Sequence, residues 1–184
     1  MQLKETQKVL DIFKQLVLNQ SRAMLSKQGK NVSSDLYRSL DGVVKAMPNS
    51  ISVEFEMEEY GYYQDRGVKG KTSTYPEIAQ YGTLAKFGSG KGKKGGLSEG
   101  IKKWVKAKRF QFRDKKTGRF MSYQSTAFLI SRSVYNKGIK PSLFFTKPFE
   151  RAFKKLPDEL TESFGLDVED FLAFALKQDR LKNK

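Results

Sequence analysis

The stretch SISVEFEM, Ser50–Met57, decides the fold that this sequence predicts. Apolar and polar side chains alternate along it, and the apolar ones share one face: Ile51, Val53, Phe55 and Met57. Alternation with a period of two is typical of a strand with one buried face. The glutamates of the other face (Glu54, Glu56 and Glu58) are then expected to be solvated, and this interpretation is favoured over a metal site.

The residues before this strand supply its predicted partners. Asp35–Met47 is predicted as the other strand of a hairpin, with a turn at Met47–Ser50 that contains Pro and Asn. Leu3–Lys27 has apolar residues near a 3.6-residue spacing without an internal Gly or Pro, which predicts an amphipathic helix that ends near Gly29.

The residues after the strand predict a loop followed by several helices. Lys69–Gly96 is rich in Gly, Ser and Thr and is predicted as a long loop, with a possible helical turn near Pro76–Tyr81. The next elements are predicted to be a helix over Leu97–Arg109 and a short hairpin or extended loop over Phe110–Met121. A helix over Ser122–Asn136, with Ala127 and Phe128 inward, is predicted to end at Gly138. A short extended stretch over Ile139–Lys147 then leads to C-terminal helices, which open at Pro148 and are interrupted at Pro157.

Together these elements predict an α+β fold. An antiparallel sheet is packed by N-terminal and C-terminal helices in a single domain spanning residues 1–184. A long basic, Gly- and Lys-rich insertion, about residues 69–121, is predicted to be mobile. An acidic helical segment covers about residues 156–180, and it contains six acidic and no basic residues between Leu156 and Leu176.

The composition excludes several classes of chemistry. The sequence has no histidine and no cysteine. Zinc sites, Ser-His-Asp and Cys-His catalysis and disulfides are therefore not expected. An enzyme would have to use carboxylates, Lys, Tyr or a hard metal such as magnesium. We predict no catalytic residue, no metal and no cofactor. Apolar runs such as Ala127–Ile130 are far shorter than a membrane span, and MQLKETQKVLDIF lacks the apolar core of a signal peptide, so we expect synthesis in the cytosol and no membrane partner.

A basic stretch is the strongest functional signal. Lys86–Arg119 holds thirteen basic and two acidic residues, which is +11 of the chain's formal +15. Such a concentration of charge favours contact with phosphates or with an acidic protein surface. The candidate residues for DNA or a neighbouring subunit are Lys86, Lys91, Lys93, Lys94, Lys102, Lys103, Lys106, Lys108, Arg109, Arg113, Lys115, Lys116 and Arg119. Gly88–Gly96 lacks the Gly-Lys-Ser/Thr spacing of a phosphate-binding loop.

Aromatic residues lie among these bases. Trp104, Phe110, Phe112 and Phe120 could stack on nucleobases while the cations bind phosphates, although core packing is favoured for Trp104. A nonspecific nucleic-acid-binding protein is therefore an alternative function. A metal-dependent nuclease, assembled from Glu54, Glu56, Glu58 and Asp65 with Lys69, is a weaker one, because nothing in the spacing of these residues requires it.

Two segments carry a family resemblance. The first is YGYYQDRG, Tyr60–Gly67, an aromatic stretch that ends in Gly before a long loop; the second is PSLFFTKPFERAFKKL, Pro141–Leu156, with an aromatic-Pro-Phe step entering a helix. In these features the chain resembles the tail-completion or minor neck (head–tail connector) proteins of tailed bacteriophages. The residues that match are Tyr62, Tyr63, Asp65 and Gly67 in the first segment and Pro148, Phe149 and Ala152 in the second.

The resemblance implies a structural protein of the virion and no catalysis. It implies an α+β subunit that forms a ring with copies of itself between portal and tail. The partners that it implies are neighbouring portal, neck or tail proteins, with genomic DNA in the channel as a further candidate. Candidate interface residues are Tyr60, Tyr62, Tyr63, Asp65, Pro148 and Phe149. The opposite charges of the basic stretch and the acidic C-terminal segment suit a head-to-tail ring, in which unlike surfaces meet.

Overall fold

The computed structural model describes residues 3–29, 34–47, 50–72, 75–78 and 96–182. Its helices and strands, in chain order, are α1 (Lys4–Lys27), α2 (Asp35–Ser39), β1 (Asp41–Met47), β2 (Ser50–Glu56), α3 (Glu59–Arg66), β3 (Val68–Lys69), α4 (Gly96–Ala107), α5 (Tyr123–Lys137), β4 (Gly138–Ile139), α6 (Thr146–Phe153) and α7 (Leu156–Lys182). The predicted α+β class is confirmed. The strands form two separate antiparallel pairs, β1–β2 and β3–β4.

The chain divides into two compact units where the sequence predicts one domain. The first unit contains α1, α2, β1, β2, α6 and α7, and the second contains α3, β3, α4, α5 and β4. Part of the predicted mobile insertion has regular structure, because α4 and a short hairpin occupy residues 96–121. Residues 77–78 are helical, as the predicted helical turn requires, and the rest of that turn lies outside the described residues.

The core of the first unit confirms the alternation on which the fold prediction depends. β1 and β2 pair from Asp41↔Glu56 to Met47↔Ser50. The apolar face of β2 packs on buried residues of α1 and on Ala152 and Leu156. Phe55 makes edge-to-face ring contacts with Phe13, Phe145 and Phe149. On the opposite face, Lys45 Nζ lies 2.6 Å from Glu54 Oε2, so this glutamate is solvated and ion-paired.

The predicted first strand is wrong over its first five residues, which form helix α2. Leu36 of α2 and Leu40, which directly follows this helix, are both buried against Leu18, Leu25 and Phe144. An extended chain would also direct both to one face, but with about twice the separation along the chain axis. Burial of both leucines in one small cluster therefore overrides the strand pattern.

Helix α1 is confirmed, and a residue distant in sequence caps it. The residue before the helix, Leu3, makes no side-chain cap. Instead, Asp167 of α7 accepts hydrogen bonds from the backbone N–H groups of Glu5 (3.0 Å) and Thr6 (2.9 Å) and from the Thr6 hydroxyl (2.7 Å). Two apolar residues of the predicted helix, Ile12 and Leu16, are exposed.

The second unit is joined by a strand pair between distant segments. Val68 pairs with Ile139 and Lys69 pairs with Gly138. Hydrogen bonds extend the pairing, from Lys71 N–H to Tyr135 O (3.0 Å) and from Thr72 N–H to Asn136 O (3.1 Å). Gly138 ends α5 with a φ of +89°, as the sequence predicts for a helix stop.

The inward face of α5 differs from the prediction at Phe128. Ser122 caps the helix by accepting a hydrogen bond from Ser125 N–H. The buried residues are small (Thr126, Ala127 and Ser131), and Phe128 is 61% exposed. Small residues allow α4 to approach α5 closely. The size of the Phe128 side chain therefore did not predict which face of α5 is buried.

Both prolines of the C-terminal region lie in first helical turns. Pro148 is the third residue of α6, and Pro157 is the second residue of α7. A first turn tolerates proline because its N–H groups have no partner within the helix. Pro157 therefore belongs to the start of α7, and the predicted interruption is the short break between α6 and α7.

Candidate interaction surfaces

The predicted hairpin after α4 is confirmed. Arg113 and Phe120 form an antiparallel bridge, and Asp114 N–H donates to Arg119 O at 2.9 Å. The Asp114 carboxylate accepts hydrogen bonds from Thr117 N–H and from the Thr117 hydroxyl and Lys116 N–H, and these bonds lower the pKa of Asp114. Gly118 adopts a φ of +68°, which a glycine accepts without strain.

Helix α4 and the hairpin carry what we call the basic aromatic face. Its basic members are Lys102, Lys103, Lys106, Lys108, Arg109, Arg113, Lys115, Lys116 and Arg119, and its aromatic members are Trp104, Phe110, Phe112 and Phe120. The aromatic side chains are each more than one third exposed, so the core role favoured for Trp104 is wrong; Val105, the next residue, is the buried one.

The aromatic rings of this face contact one another and one cation. Phe110 lies between Trp104 and Phe112, with ring centroids 6.4 Å and 5.1 Å away. The Arg113 guanidinium lies 4.6 Å from the centre of the Phe120 ring. Within the described part of the chain, Lys102 is the only basic residue of the face with an ion pair, to Glu99 at 3.8 Å. Most of its charge is thus available to a partner.

Four of the predicted basic residues lie outside the described residues: Lys86, Lys91, Lys93 and Lys94. Their assignment to DNA or to a neighbouring subunit stays a prediction. The other nine lie in α4 and in the segment 108–119 that follows it.

The C-terminal half of α7 forms a second surface, which we call the α7 extension (residues 168–177). It follows Asp167, which lies at the first turn of α1. Every side chain from 171 to 177 is exposed. Large apolar residues are among them, with Phe174 61% and Leu176 64% exposed, and Glu169 and Asp170 precede them. A continuous set of exposed apolar residues of this size is typical of an interaction site.

The predicted interface residues divide into exposed and buried ones. Tyr60, Tyr62 and Tyr63 are exposed on α3, and the rings of the last two meet edge to face with centroids 5.7 Å apart. Asp65 and Pro148 are buried, and their predicted interface role stays a prediction.

Phe149 is also committed to packing. Its ring centroid lies 5.6 Å from that of Phe13 and 5.7 Å from that of Phe153, and it belongs to the core of the first unit. The aromatic-Pro-Phe step therefore builds the inside of the subunit. An aromatic residue at a helix start gives the same sequence pattern whether it packs inside the subunit or contacts a neighbour. The sequence alone therefore does not distinguish the two roles.

The two segments that carry the family resemblance meet in the structure. Ser142 N–H and the Ser142 hydroxyl both donate to Gln64 O, at 3.1 Å and 2.8 Å, and Leu143 N–H donates to Asp65 O at 3.1 Å. Gly67 completes this junction, since a Cβ there would lie 2.6 Å from Ile139 O and 2.9 Å from the Pro141 ring. The final Gly of the first segment is thus required by the start of the second.

A cleft of about 540 Å³ opens between the first turns of α4 and α5. Its polar lining includes Glu99, Lys102, Ser122 and Ser125. Ser122 and Ser125 are engaged with each other in the helix cap, with their hydroxyls 2.9 Å apart. The groups of this cleft therefore stabilise local structure, and nothing in their arrangement activates a nucleophile.

The carboxylates considered for a nuclease are placed differently. Among the residues that the structure describes, no group of three or more acidic side chains could hold a metal ion. Glu54 is paired with Lys45, and Asp65 is buried with Arg66 Nε 3.9 Å away.

None of the described helices is long and apolar enough to cross a membrane. Comparisons of the chain with protein-family models, with curated proteins and with solved structures found no match. Function is therefore inferred from the surfaces themselves.

Two features escaped the sequence prediction. Asp167 was assigned only to an acidic helix, because a cap supplied from 161 residues away leaves no local pattern. The α7 extension was predicted only as part of the acidic helical segment, although its segment FLAFAL, Phe171–Leu176, has apolar residues on all sides of a helix. Such all-round apolarity was the available signal, since a helix on one core face needs only one apolar stripe.

Proposed function

We propose that this chain is a structural, ring-forming subunit of the neck or tail-completion region of a tailed bacteriophage, located in the virion between portal and tail. The observation that carries the proposal is the presence of two unlike exposed surfaces on one chain. One is cationic and aromatic, and the other, the α7 extension, is apolar, with Glu169 and Asp170 before its apolar residues and Lys177 after them. A head-to-tail ring needs two different surfaces of this kind on every copy.

The junction between the two resemblance segments supports the same proposal. Its hydrogen bonds join Gln64 and Asp65 to Ser142 and Leu143, so the two short patterns belong to one structural feature. Exposed tyrosines on α3 lie next to this junction in sequence. Tyrosine presents a large ring together with a hydroxyl, which suits contact with a neighbouring portal or tail protein.

The test is to delete the gene from the phage that encodes this chain. We expect DNA-filled heads and separate tails that do not join, with infectivity restored when the wild-type chain is supplied from a plasmid. Peptides of the chain should be found by mass spectrometry in purified wild-type particles at a stoichiometry of several copies per particle. Deletion mutants that release normal tailed particles, or purified particles without these peptides, would overturn the proposal.

Nonspecific nucleic-acid binding is the second candidate, because of one specific observation. Trp104, Phe110 and Phe112 form a run of exposed, mutually contacting rings among basic residues that have few ion pairs. Aromatic rings beside cations bind single strands by stacking bases while the cations bind phosphates. A neck protein around channel DNA and a separate DNA-binding protein would both use such a face.

For this candidate we expect the purified chain to bind single-stranded oligonucleotides with an affinity that falls steeply as salt rises. Phe112→Ala should weaken binding by about 1–3 kcal/mol, the usual contribution of one stacked base. Lys106→Ala should reduce the slope of log affinity against log salt by about 0.7, the contribution of one phosphate contact on a single strand. Fluorescence anisotropy measures both.

Lys45→Ala is the matched control, because Lys45 is exposed and ion-paired outside the basic aromatic face. It should leave the affinity within about twofold and the salt slope unchanged. Equal losses for Lys45→Ala and Lys106→Ala would mean that net charge, and not the basic aromatic face, causes binding.

A further inference from the structure

The α7 extension exposes several large apolar side chains to solvent. Phe171, Leu172, Phe174 and Leu176 are each close to half exposed or more. Full burial of one such side chain contributes roughly 1.5–3 kcal/mol. The helix continues past the first turn of α1, and every side chain from 171 to 177 is exposed. This surface is therefore available to a partner.

The charges around the extension select the kind of partner. Six acidic residues and no basic ones lie between Leu156 and Leu176, and Glu169 and Asp170 adjoin the apolar residues directly. Lys177 follows the apolar residues, but α7 as a whole (Leu156–Lys182) holds seven acidic and three basic residues, so two α7 helices brought together would share a net negative charge. The basic aromatic face has the opposite charge, with nine basic and two acidic residues between 96 and 119. It also offers exposed rings, of which Phe120 is 62% exposed.

We infer that the α7 extension of one copy packs on the basic aromatic face of a second copy. This inference rests on the proposed ring and specifies its contact. Phe171 and Phe174 pack against the rings of Phe112 and Phe120, and Glu169 and Asp170 lie toward the lysines of α4. Aromatic pairs favour edge-to-face packing, and charges at the rim of an apolar contact set its orientation.

The two surfaces are different, so the contact is heterologous. Each copy uses its α7 extension once and its basic aromatic face once. Repetition of such a contact closes a ring when the rotation between copies allows it, and otherwise continues as an open filament. The same contact covers the exposed apolar helix and offsets part of the charge of the basic aromatic face.

The chain has no cysteine, which permits a direct test by disulfide trapping. Ala173→Cys places one thiol on the exposed α7 extension, and Lys106→Cys places one on the exposed side of α4. When the two full-length variants are mixed under mild oxidation, we expect the mixed disulfide to form at least tenfold faster than with the control partner Asn19→Cys. Asn19 is exposed on α1, outside both surfaces.

Charge reversal adds a second readout. Glu169→Lys together with Asp170→Lys in the Ala173→Cys chain should slow mixed-disulfide formation about tenfold. Lys102→Glu with Lys103→Glu in the Lys106→Cys chain should restore part of the rate. Raising the salt concentration should slow the wild-type pairing. Circular dichroism of each variant verifies that the helices are retained.

Three outcomes would overturn the inference. The first is a mixed disulfide that forms no faster than with Asn19→Cys. The second is faster formation of Ala173→Cys homodimers than of mixed dimers, which would indicate α7–α7 pairing. The third is an oligonucleotide that binds the Lys106→Cys chain and is not displaced by an excess of the Ala173→Cys chain, which would assign the face to nucleic acid.

The presence of the chain in purified particles tests the proposed function separately from this inference. Peptides of the chain in purified particles, together with a failed cross-link, would leave a neck subunit that assembles through other surfaces. A successful cross-link with no peptides in particles would leave a self-associating protein that is not a virion component.

Discussion

Gly138→Ala is expected to prevent formation of the β3–β4 pair and to lower the free energy of unfolding by about 4 kcal/mol or more, at the extreme of single substitutions. A Cβ at this position would lie 2.1 Å from Val68 O and 2.7 Å from Gly70 N. These are backbone atoms, so no side-chain rotation relieves the overlap. The φ of +89° adds conformational strain for any residue with a Cβ.

The effect is measured as the shift of the urea unfolding midpoint and by amide hydrogen exchange. The amides of Lys71 and Thr72, which donate to Tyr135 O and Asn136 O beside the pair, should lose their protection. Where Gly138→Ala is insoluble, Gly67→Ala is the second variant. Its Cβ would lie 2.6 Å from Ile139 O, and it should destabilise the same junction.

Gly118→Ala is the matched control. Gly118 also has a positive φ, +68°, but a Cβ there would meet no atom within 4 Å. It should therefore cost only the intrinsic strain of the left-handed conformation, about 1–2 kcal/mol. If Gly138→Ala and Gly118→Ala shift the midpoint equally, the close approach of β3 to Gly138 is not what requires glycine.

Asp167→Ala is expected to destabilise the first unit by about 2 kcal/mol, the upper range for loss of a helix cap, because it leaves N–H groups at the start of α1 without an acceptor. Asp167 is 3% exposed, and both of its carboxylate oxygens accept hydrogen bonds from Glu5 and Thr6. Its negative charge also lies at the positive end of the α1 dipole. Asp167→Asn keeps one acceptor oxygen and should lose about half as much.

Acid should weaken the same interaction. Burial alone would raise the pKa of Asp167, but hydrogen bonds from Thr6 and Glu5 outweigh it and hold the pKa below its ordinary value of 3.8. A lowered carboxyl pKa contributes stability that is complete above the pKa of the unfolded chain and is lost as the pH falls through the folded pKa. Wild type should therefore lose more stability below about pH 4 than Asp167→Asn does.

Glu162→Ala is the control for both measurements. Glu162 is an exposed acidic residue of the same helix, and its removal should change stability by less than about 0.5 kcal/mol. Urea unfolding at neutral pH and at a series of acidic pH values compares the variants. An unfolding curve of Asp167→Ala that overlays that of Glu162→Ala would contradict the role of Asp167 as the cap of α1.

Local chemistry made much of this protein predictable from its sequence. The alternation of Ser50–Met57 predicted β2 and its buried face, because a strand directs successive side chains to opposite sides. The spacing of Leu3–Lys27 predicted α1, and Gly118 and Gly138 predicted the hairpin turn and the end of α5. Each of these signals lies within a few residues of the structure that it specifies. The concentration of basic residues between 86 and 119 was likewise visible directly.

Tertiary contacts decided the rest. Helix α2 forms where a strand was predicted, because Leu36 and Leu40 both enter one small cluster with Phe144. Phe128 is exposed because α4 packs on the small residues beside it. The cap at Asp167 and the need for glycine at positions 67 and 138 come from segments far away in the chain. The sequence by itself determined the local elements and the charge, since propensity and periodicity act over neighbouring residues. Only the tertiary structure decided which apolar residues stay exposed, because burial depends on which distant segments of the chain pack on them.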